Sequence, residues 1–214
     1  MIGHRFIFWI GVFWTTTLMA TEEPKFEILR ADGKIEIRRY APLIVAETLV
    51  DGDMASASGT GFRRIADYIF GDNARIAMTV PVVAEPQQRA EKIAMTRPVS
   101  SEPQPDDNRP FANARRWRIH FVMPSQYTLA TLPKPLNAEV QLREIPAKTF
   151  AALTYSGTTT ESMAQEKTAE LLDWLTAQQI EIISSPQLAR YNPPWTLPFL
   201  RRNEILQEIR FTAP

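Results

Sequence analysis

Residues 35–52, IEIRRYAPLIVAETLVDG, and residues 140–157, VQLREIPAKTFAALTYSG, carry one pattern twice. The two stretches align without gaps at an offset of 105 positions (140 − 35). Three aligned pairs are identical: Arg38/Arg143, Ala46/Ala151 and Gly52/Gly157. The apolar register is also shared, and a helical pattern follows each glycine. The sequence therefore predicts a duplicated chain with halves of about 25–100 and 115–212.

Strand and helix patterns recur in the same order in both halves. A 3.6-residue apolar period predicts helices over 55–70 and 160–178, and in the first helix Phe62, Ile65, Ala66 and Ile69 form the apolar stripe. Alternation with period two predicts strands at 25–29, 34–40, 43–50, 117–123, 139–144, 149–155 and 203–211. Two strand–strand–helix–strand units predict an α+β domain.

A second, shorter repeat lies between the halves. RIAMTVPVVAEP begins at Arg75 and KIAMTRPVSSEP begins at Lys92. Each copy predicts a strand, the two being joined as a hairpin, and the Pro-rich residues 98–114 predict a connector. Met78 and Met95 have two interpretations: they pack in the core, or their thioethers bind a metal or haem iron.

The N-terminus predicts export. A basic start, an apolar stretch over residues 6–20 and a polar TEEP describe a signal peptide of residues 1–20, with a single domain over residues 21–214. An uncleaved membrane anchor is the alternative, although the apolar stretch is shorter than the roughly 20 residues that a spanning helix needs. We therefore expect a periplasmic or secreted protein with no stable membrane span after cleavage.

Composition excludes several classes of function. The chain has no cysteine, and its 24 basic residues balance its 24 acidic ones, which argues against a nucleic-acid partner. It contains no G-x-S-x-G, no H-E-x-x-H and no phosphate-binding loop, so we predict no catalytic residues and no enzyme activity.

Longer motifs point to a known family. The chain from about Phe26 to Arg210 resembles the SOUL haem-binding proteins. The matching stretches, in chain order, are IEIRRYAP, GFRRIADYIFGDN, IAMTVPV with IAMTRPV, FVMP, LPKP, YNPPW and RRNE. The resemblance implies a distorted β-barrel of two related halves with two helices packed outside. It also implies non-covalent binding of haem or another tetrapyrrole in a shallow apolar groove, with partner proteins unknown. By match, the cofactor-binding residues are Phe62, Arg63, Ile65, Ala66, Ile69, Trp195 and Leu197.

The charged and iron-binding groups leave alternatives open. Arg63 and Arg64 either meet the ligand's propionates or form a solvated helix face, and the RRNE residues are interpreted as structural ion pairs. His120, the one histidine of residues 21–214, lies on the opposite strand face from the apolar residues beside it. We therefore predict no metal site and weak binding without a strong axial iron bond.

Two functions follow from these features. The first is a haem or porphyrin buffer or carrier in the cell envelope. The second is a binding module for another flat amphipathic small molecule, since the halved fold resembles the effector-binding domains of bacterial regulators.

Overall fold

The computed structural model describes residues 21–74, 90–104, 111 and 114–212. The predicted signal peptide at 1–20 and the first predicted twin strand, with Met78, lie outside these residues. Within the described ranges, neither helix is long and apolar enough to cross a membrane.

The main sheet is antiparallel and curls into a half-barrel with two helices packed on it, so the predicted α+β fold is confirmed. The elements in chain order are β1 (Phe26–Asp32), β2 (Ile35–Tyr40), β3 (Leu43–Asp51), α1 (Met54–Phe70), β4 (Asn73–Ala74), β5 (Val99–Pro103), β6 (Arg116–Val122), β7 (Lys134–Pro135), β8 (Gln141–Ile145), β9 (Lys148–Tyr155), α2 (Glu161–Ala177), β10 (Glu181–Ile182), β11 (Gln187–Arg190) and β12 (Asn203–Arg210). The main sheet has the order β1-β2-β9-β12-β11-β5-β6-β3-β8; β10 adds to β12, and β4 pairs with β7 separately.

The strand register follows the internal repeat residue by residue. β2 pairs with β9 so that Arg38 lies opposite Phe150, and β3 pairs with β8 so that Val45 lies opposite Arg143. Arg143 and Phe150 are the residues 105 positions after Arg38 and Val45 (143 − 38 and 150 − 45). Each half therefore completes its partner's part of the sheet, and β5 pairs with β11 where the halves meet.

Period two gives the sheet two faces of different character. On the face that the helices cover, here called the helix face, one row across the strands runs Phe121, Val99, Arg190, Asn203 and Tyr155. α1 packs on β3 and β6, whereas α2 packs on β9 and β12. The opposite side, the concave face, is the inner surface of the half-barrel.

Both helices have conventional caps. The Asp53 carboxylate accepts hydrogen bonds from the amides of Ala55 (3.0 Å) and Ser56 (2.9 Å) at the start of α1. Thr160 accepts one from the Met163 amide (3.2 Å) at the start of α2. Gly71, with φ of 136°, ends α1 as its sequence predicts.

The predicted strand over the second IAMT copy is wrong, because Ile93 to Thr96 belong to no strand. The Ile93 amide donates instead to the Ile69 carbonyl (2.9 Å), and the Thr96 hydroxyl donates to the Val122 carbonyl. These local partners tie the segment to the end of α1 and to β6. The other copy lies outside the described residues.

The predicted connector 98–114 is also wrong, because it contains β5, a central strand of the sheet. Its residues, Val-Ser-Ser-Glu-Pro, show no apolar alternation. Ser100 and Ser101 are nevertheless buried, at 3% and 0% exposure, because β5 lies between β6 and β11. The short strand β11 was likewise not predicted.

Gly61 sets the distance between α1 and the sheet. A Cβ at this position would lie 2.4 Å from Cγ1 and 2.6 Å from Cβ of Ile119 on β6. A Cβ at Gly59, two residues earlier, would meet only the end of the Arg63 side chain at 3.6 Å. Of these two glycines, only Gly61 is therefore required for the close approach of α1 to the sheet.

We predict that Gly61→Ala lowers the free energy of unfolding by about 1–2 kcal/mol, because overpacking against Ile119 exceeds the gain in helix propensity. Gly59→Ala is the matched control and should raise the free energy of unfolding by about 0.5–1 kcal/mol. Urea unfolding of both variants measures the difference. Equal stabilisation by the two alanines would show that α1 does not approach the sheet as described.

Candidate functional site

A strip of the helix face lies between the two helices. Because α1 covers β3 and β6 and α2 covers β9 and β12, the central strands β5 and β11 run between them. Ser58 of α1 reaches this strip, its hydroxyl lying 3.3 Å from that of Ser101. One turn later, the Phe62 ring packs 5.6 Å from that of Phe121. We call this surface the interhelical strip.

The structure divides the predicted cofactor-binding residues into two groups. Ile65, Ala66 and Ile69 are buried at 0%, 7% and 0% exposure, so they support α1 from below and offer no surface to a ligand. Phe62 is 40% exposed, which places it at the edge of the predicted stripe and not within the core. Arg63 is also exposed. Of the predicted residues on α1, only Phe62 and Arg63 are therefore accessible from solvent.

The remaining predicted residues lie in the loop between β11 and β12, residues 191–202, here called the aromatic loop. Its large apolar side chains are mostly in solvent: Trp195, Leu197, Phe199 and Leu200 are 83%, 56%, 69% and 62% exposed. Such a concentration of exposed apolar side chains is typical of a binding surface.

Hydrogen bonds hold the aromatic loop in shape. The Arg201 guanidinium donates to the carbonyls of Thr196 (2.7 Å) and Pro194 (2.5 Å), and the Arg202 amide donates to the Asn192 side chain (2.7 Å). The Gly157 amide, just before α2, donates to the Pro198 carbonyl (3.0 Å). The loop therefore presents its apolar side chains from a fixed backbone.

A buried ion cluster fixes both ends of this loop. Glu204, 2% exposed, accepts from Arg38 (2.9 Å) and from the Tyr191 hydroxyl (2.6 Å). Burial alone would lower the pKa of Arg38, but the Glu204 carboxylate outweighs it and the pKa is raised. Burial and the same carboxylate also raise the pKa of Tyr191. Tyr191 and Glu204 flank the aromatic loop, so the hydrogen bond between them holds its two ends together. The ion pair between Glu204 and Arg38 confirms, for Glu204, the prediction that the RRNE segment makes structural ion pairs.

The two arginines proposed for the ligand's carboxylates differ in their partners. Arg64 pairs with Glu139 (3.0 Å) and donates to the Leu49 carbonyl (3.1 Å), so it belongs to the contact between α1 and the sheet. Arg63 donates only to the Thr60 hydroxyl (3.2 Å) and pairs with no carboxylate among the described residues. Of the two, only Arg63 has a charge available to a ligand.

A cavity that sequence reasoning missed lies at the end of the sheet, beside the concave face. A volume of about 680 Å³ opens where β2 turns into β3 and β8 into β9. Its charged lining residues are Glu22, Glu23, Glu144 and Lys25, so acidic groups outnumber basic ones. A smaller pocket of about 170 Å³ adjoins it through shared residues such as Leu43 and Ile145.

His120 lines the smaller pocket on the concave face. It is 7% exposed, and its Nδ1 has no hydrogen-bond partner. Burial lowers its pKa to about 4, although nearby Glu47 opposes the shift. The sheet separates His120 from Phe62, so this imidazole cannot bind an iron held on the helix face. Met95, the other described candidate ligand, is 36% exposed and belongs to no strand.

Together these observations describe a small α+β half-barrel with exposed apolar side chains on one side of the sheet and cavities on and beside its concave face. The family model of the SOUL heme-binding protein matches residues 21–90 and 84–208. The chain therefore belongs to the SOUL heme-binding protein family. None of the curated proteins matches this sequence.

Solved structures share the fold at low sequence identity. The C-terminal domain of EcmrR is 11% identical with a TM-score of 0.59, the match covering 83% of this chain and 98% of that one. A hydrolase from Listeria innocua is 13% identical with a TM-score of 0.54, covering 85% of this chain and 94% of that one. EcmrR solved with DNA is 12% identical with a TM-score of 0.59, covering 83% and 57%. These identities establish a common architecture.

The buried imidazole of His120 makes stability depend on pH. In the unfolded chain His120 has its ordinary pKa of 6.5, whereas in the folded protein the pKa is about 4. Between these values the unfolded state binds more protons, so stability is complete above about pH 6.5 and falls as the pH is lowered toward 4. We predict that this residue alone costs about 1.5 kcal/mol between pH 6.5 and 5.

Urea unfolding at both pH values, for the natural protein and for His120→Gln, isolates this contribution. Glutamine keeps a polar side chain of similar size but does not titrate, so the variant should lose less stability on acidification. An identical loss in both proteins would contradict the assignment of a neutral, buried His120.

Proposed function

We propose that the protein binds haem or another carboxylate-bearing tetrapyrrole on the helix face, between the Phe62 edge of α1 and the aromatic loop. The observation that carries the proposal is the set of large apolar side chains that a rigid loop holds in solvent, with Trp195 at 83% exposure. Membership of the SOUL heme-binding protein family supports the same ligand class.

The chemistry of these residues suits such a ligand. A tetrapyrrole offers a flat apolar plate with carboxylates at one edge, and it needs apolar walls and a cation near its rim. The Trp195 indole and the Phe62 ring offer flat walls, and Arg63 offers an exposed cation. Because the aromatic loop is already held by its own hydrogen bonds, little conformational entropy is lost on binding.

In this proposal the iron contributes little to affinity. The chain has no cysteine, and His120 lies on the concave face. Affinity then rests on apolar contact and carboxylate pairing, so binding is weak and reversible. That behaviour suits a buffer or carrier and not an enzyme, and the predicted signal peptide supports a location in the cell envelope.

A second candidate function uses the cavity of about 680 Å³ beside the concave face. It is large enough for a ring system, but Glu22 and Glu144 against Lys25 disfavour a dianionic porphyrin, whereas the charge of Glu23 is balanced by Arg202. The lining favours a flat amphipathic molecule that is neutral or cationic. The fold shared with the EcmrR C-terminal domain is compatible with this alternative.

Parallel titrations with hemin and with iron-free protoporphyrin IX test the proposal, followed by Soret absorbance. We expect the two affinities to agree within about threefold, because the binding energy comes from the ring and its carboxylates. Binding of hemin alone, with a low-spin spectrum, would show an iron ligand that the proposal excludes. If neither compound binds, the tetrapyrrole function is wrong and the cavity beside the concave face becomes the leading site.

We predict that Trp195→Ala weakens protoporphyrin binding by about tenfold, as expected for removing one exposed aromatic wall. The melting temperature should stay within about 1–2 °C, because the side chain makes few intramolecular contacts. Ile28→Ala is the control, since it removes a 51% exposed apolar side chain from the edge strand β1. Unchanged binding in Trp195→Ala would remove the aromatic loop from the site.

A further inference from the structure

Arg190, the last residue of β11, is a half-buried cation that has no acidic partner among the described residues. Its Nη2 donates to the hydroxyls of Ser58 (2.8 Å) and Ser101 (3.4 Å), and its Nε has no hydrogen-bond partner. No carboxylate lies within ion-pair distance of it in the part of the chain that the structure describes. The guanidinium is therefore held in place by hydroxyl groups alone.

Other arginines within the sheet have the partners that Arg190 lacks. Arg38 pairs with Glu36 (2.7 Å) and Glu204 (2.9 Å). Arg118 pairs with Glu102 (3.4 Å) and Glu47 (3.6 Å). Withdrawing a guanidinium from water without a counter-ion costs several kcal/mol. Desolvation accordingly lowers the pKa of Arg190, with only a small opposing influence of Tyr155.

The neighbours of Arg190 add further hydrogen-bonding groups without partners. The strand register places Arg190 beside Asn203, and Asn203 beside Tyr155, in one row of the helix face. The Tyr155 hydroxyl and the Thr168 hydroxyl of α2 are both buried and unpaired. Burial raises the pKa of Tyr155 to about 12, and the charges of Arg190 and Lys167 oppose the shift. Lys167 is paired with Glu166 (3.1 Å) and Glu170 (2.8 Å), so of these two cations Arg190 is the one without a carboxylate partner among the described residues.

Arg190 also occupies the base of the proposed ligand site. It lies two strands from Phe121, the residue against which the Phe62 ring packs, and the aromatic loop begins at the next residue, Tyr191. Its side chain is partly accessible, at the border between core and surface. A ligand lying between Phe62 and the aromatic loop would therefore bring its edge toward this guanidinium.

We infer that Arg190 binds a carboxylate of the ligand through the accessible part of its guanidinium, so that the protein selects acidic ring compounds over their neutral esters. This inference rests on the proposed tetrapyrrole function and identifies the group that recognises the ligand's charge. A carboxylate at this guanidinium supplies the anionic partner that Arg190 lacks among the described residues. Arg63, exposed and screened by water, contributes less to this selection than Arg190 does.

The test compares protoporphyrin IX with its dimethyl ester in the natural protein, in Arg190→Gln and in the control Arg39→Gln, which removes an exposed arginine of β2 at the other end of the sheet from the aromatic loop. The natural protein and Arg39→Gln should bind the free acid at least about tenfold more tightly than the ester. Arg190→Gln should bind both compounds with the same, weaker affinity. Arg190→Lys keeps the charge without the planar donor pair and should recover part of the preference.

The melting temperature of the ligand-free protein separates ligand recognition from a structural role. Because Arg190→Gln removes an uncompensated charge, its melting temperature should equal or exceed that of the natural protein; a large decrease would overturn the inference. Equal affinity of the natural protein for acid and ester, or a preference that survives in Arg190→Gln, would also overturn it while leaving the tetrapyrrole function intact. Failure of the natural protein to bind either porphyrin would instead refute the proposed function, and this inference with it.

Discussion

The exchange of strands between the two halves is the constraint on which the structure depends. β2 finds its inner partner in β9, β8 finds its partner in β3, and the halves meet again where β5 pairs with β11. Neither half can satisfy its backbone hydrogen bonds alone, because an unpaired inner strand would leave a row of amides and carbonyls without partners. The two repeats in the sequence thus form one interlocked sheet. This sheet sets the positions of both helices, because each helix packs on two of its strands.

The charged side chains on the two faces of this sheet differ in their partners. On the concave face nearly every cation has its counter-ion close by, as in the pairs Arg38–Glu204 (2.9 Å), Arg143–Glu47 (2.6 Å) and Lys148–Glu208 (2.7 Å). Arg143–Glu47 and Lys148–Glu208 join neighbouring strands, whereas Arg38–Glu204 reaches across β9 and anchors the end of the aromatic loop at β12. On the helix face Arg190 has hydroxyl partners only. The concave charges therefore stabilise the architecture, whereas on the helix face the charge of Arg190 has no carboxylate partner among the described residues.

The sequence predicts the helices and strands that have a strong apolar periodicity. It does not predict strands such as β5, which are held by their neighbours in the sheet and have no apolar periodicity of their own. α1, α2 and the paired strands of the repeat were predicted within one or two residues, because each has a regular apolar face. β5 was missed because a strand that is enclosed on both sides tolerates Ser and Glu. The apolar stripe of α1 predicts buried residues correctly for Ile65, Ala66 and Ile69. A buried side chain offers no surface to a ligand, so Phe62, at 40% exposure, is the residue of that stripe that a ligand could contact. Arg190 belongs to no motif, and its significance depends on hydroxyls contributed by β5 and α1, which only the folded chain brings together.

Strand exchange also determines when the protein can acquire its structure during synthesis. Residues 35–40 wait for residues 148–155, and these in turn pair with the final strand, β12. The β2–β9 ladder joins residues more than a hundred positions apart, so a large loop must close before this pairing can form, and folding is slow compared with local helix formation. Until residues 148–155 have been synthesised, β2 has no inner partner, so this part of the sheet forms late in synthesis.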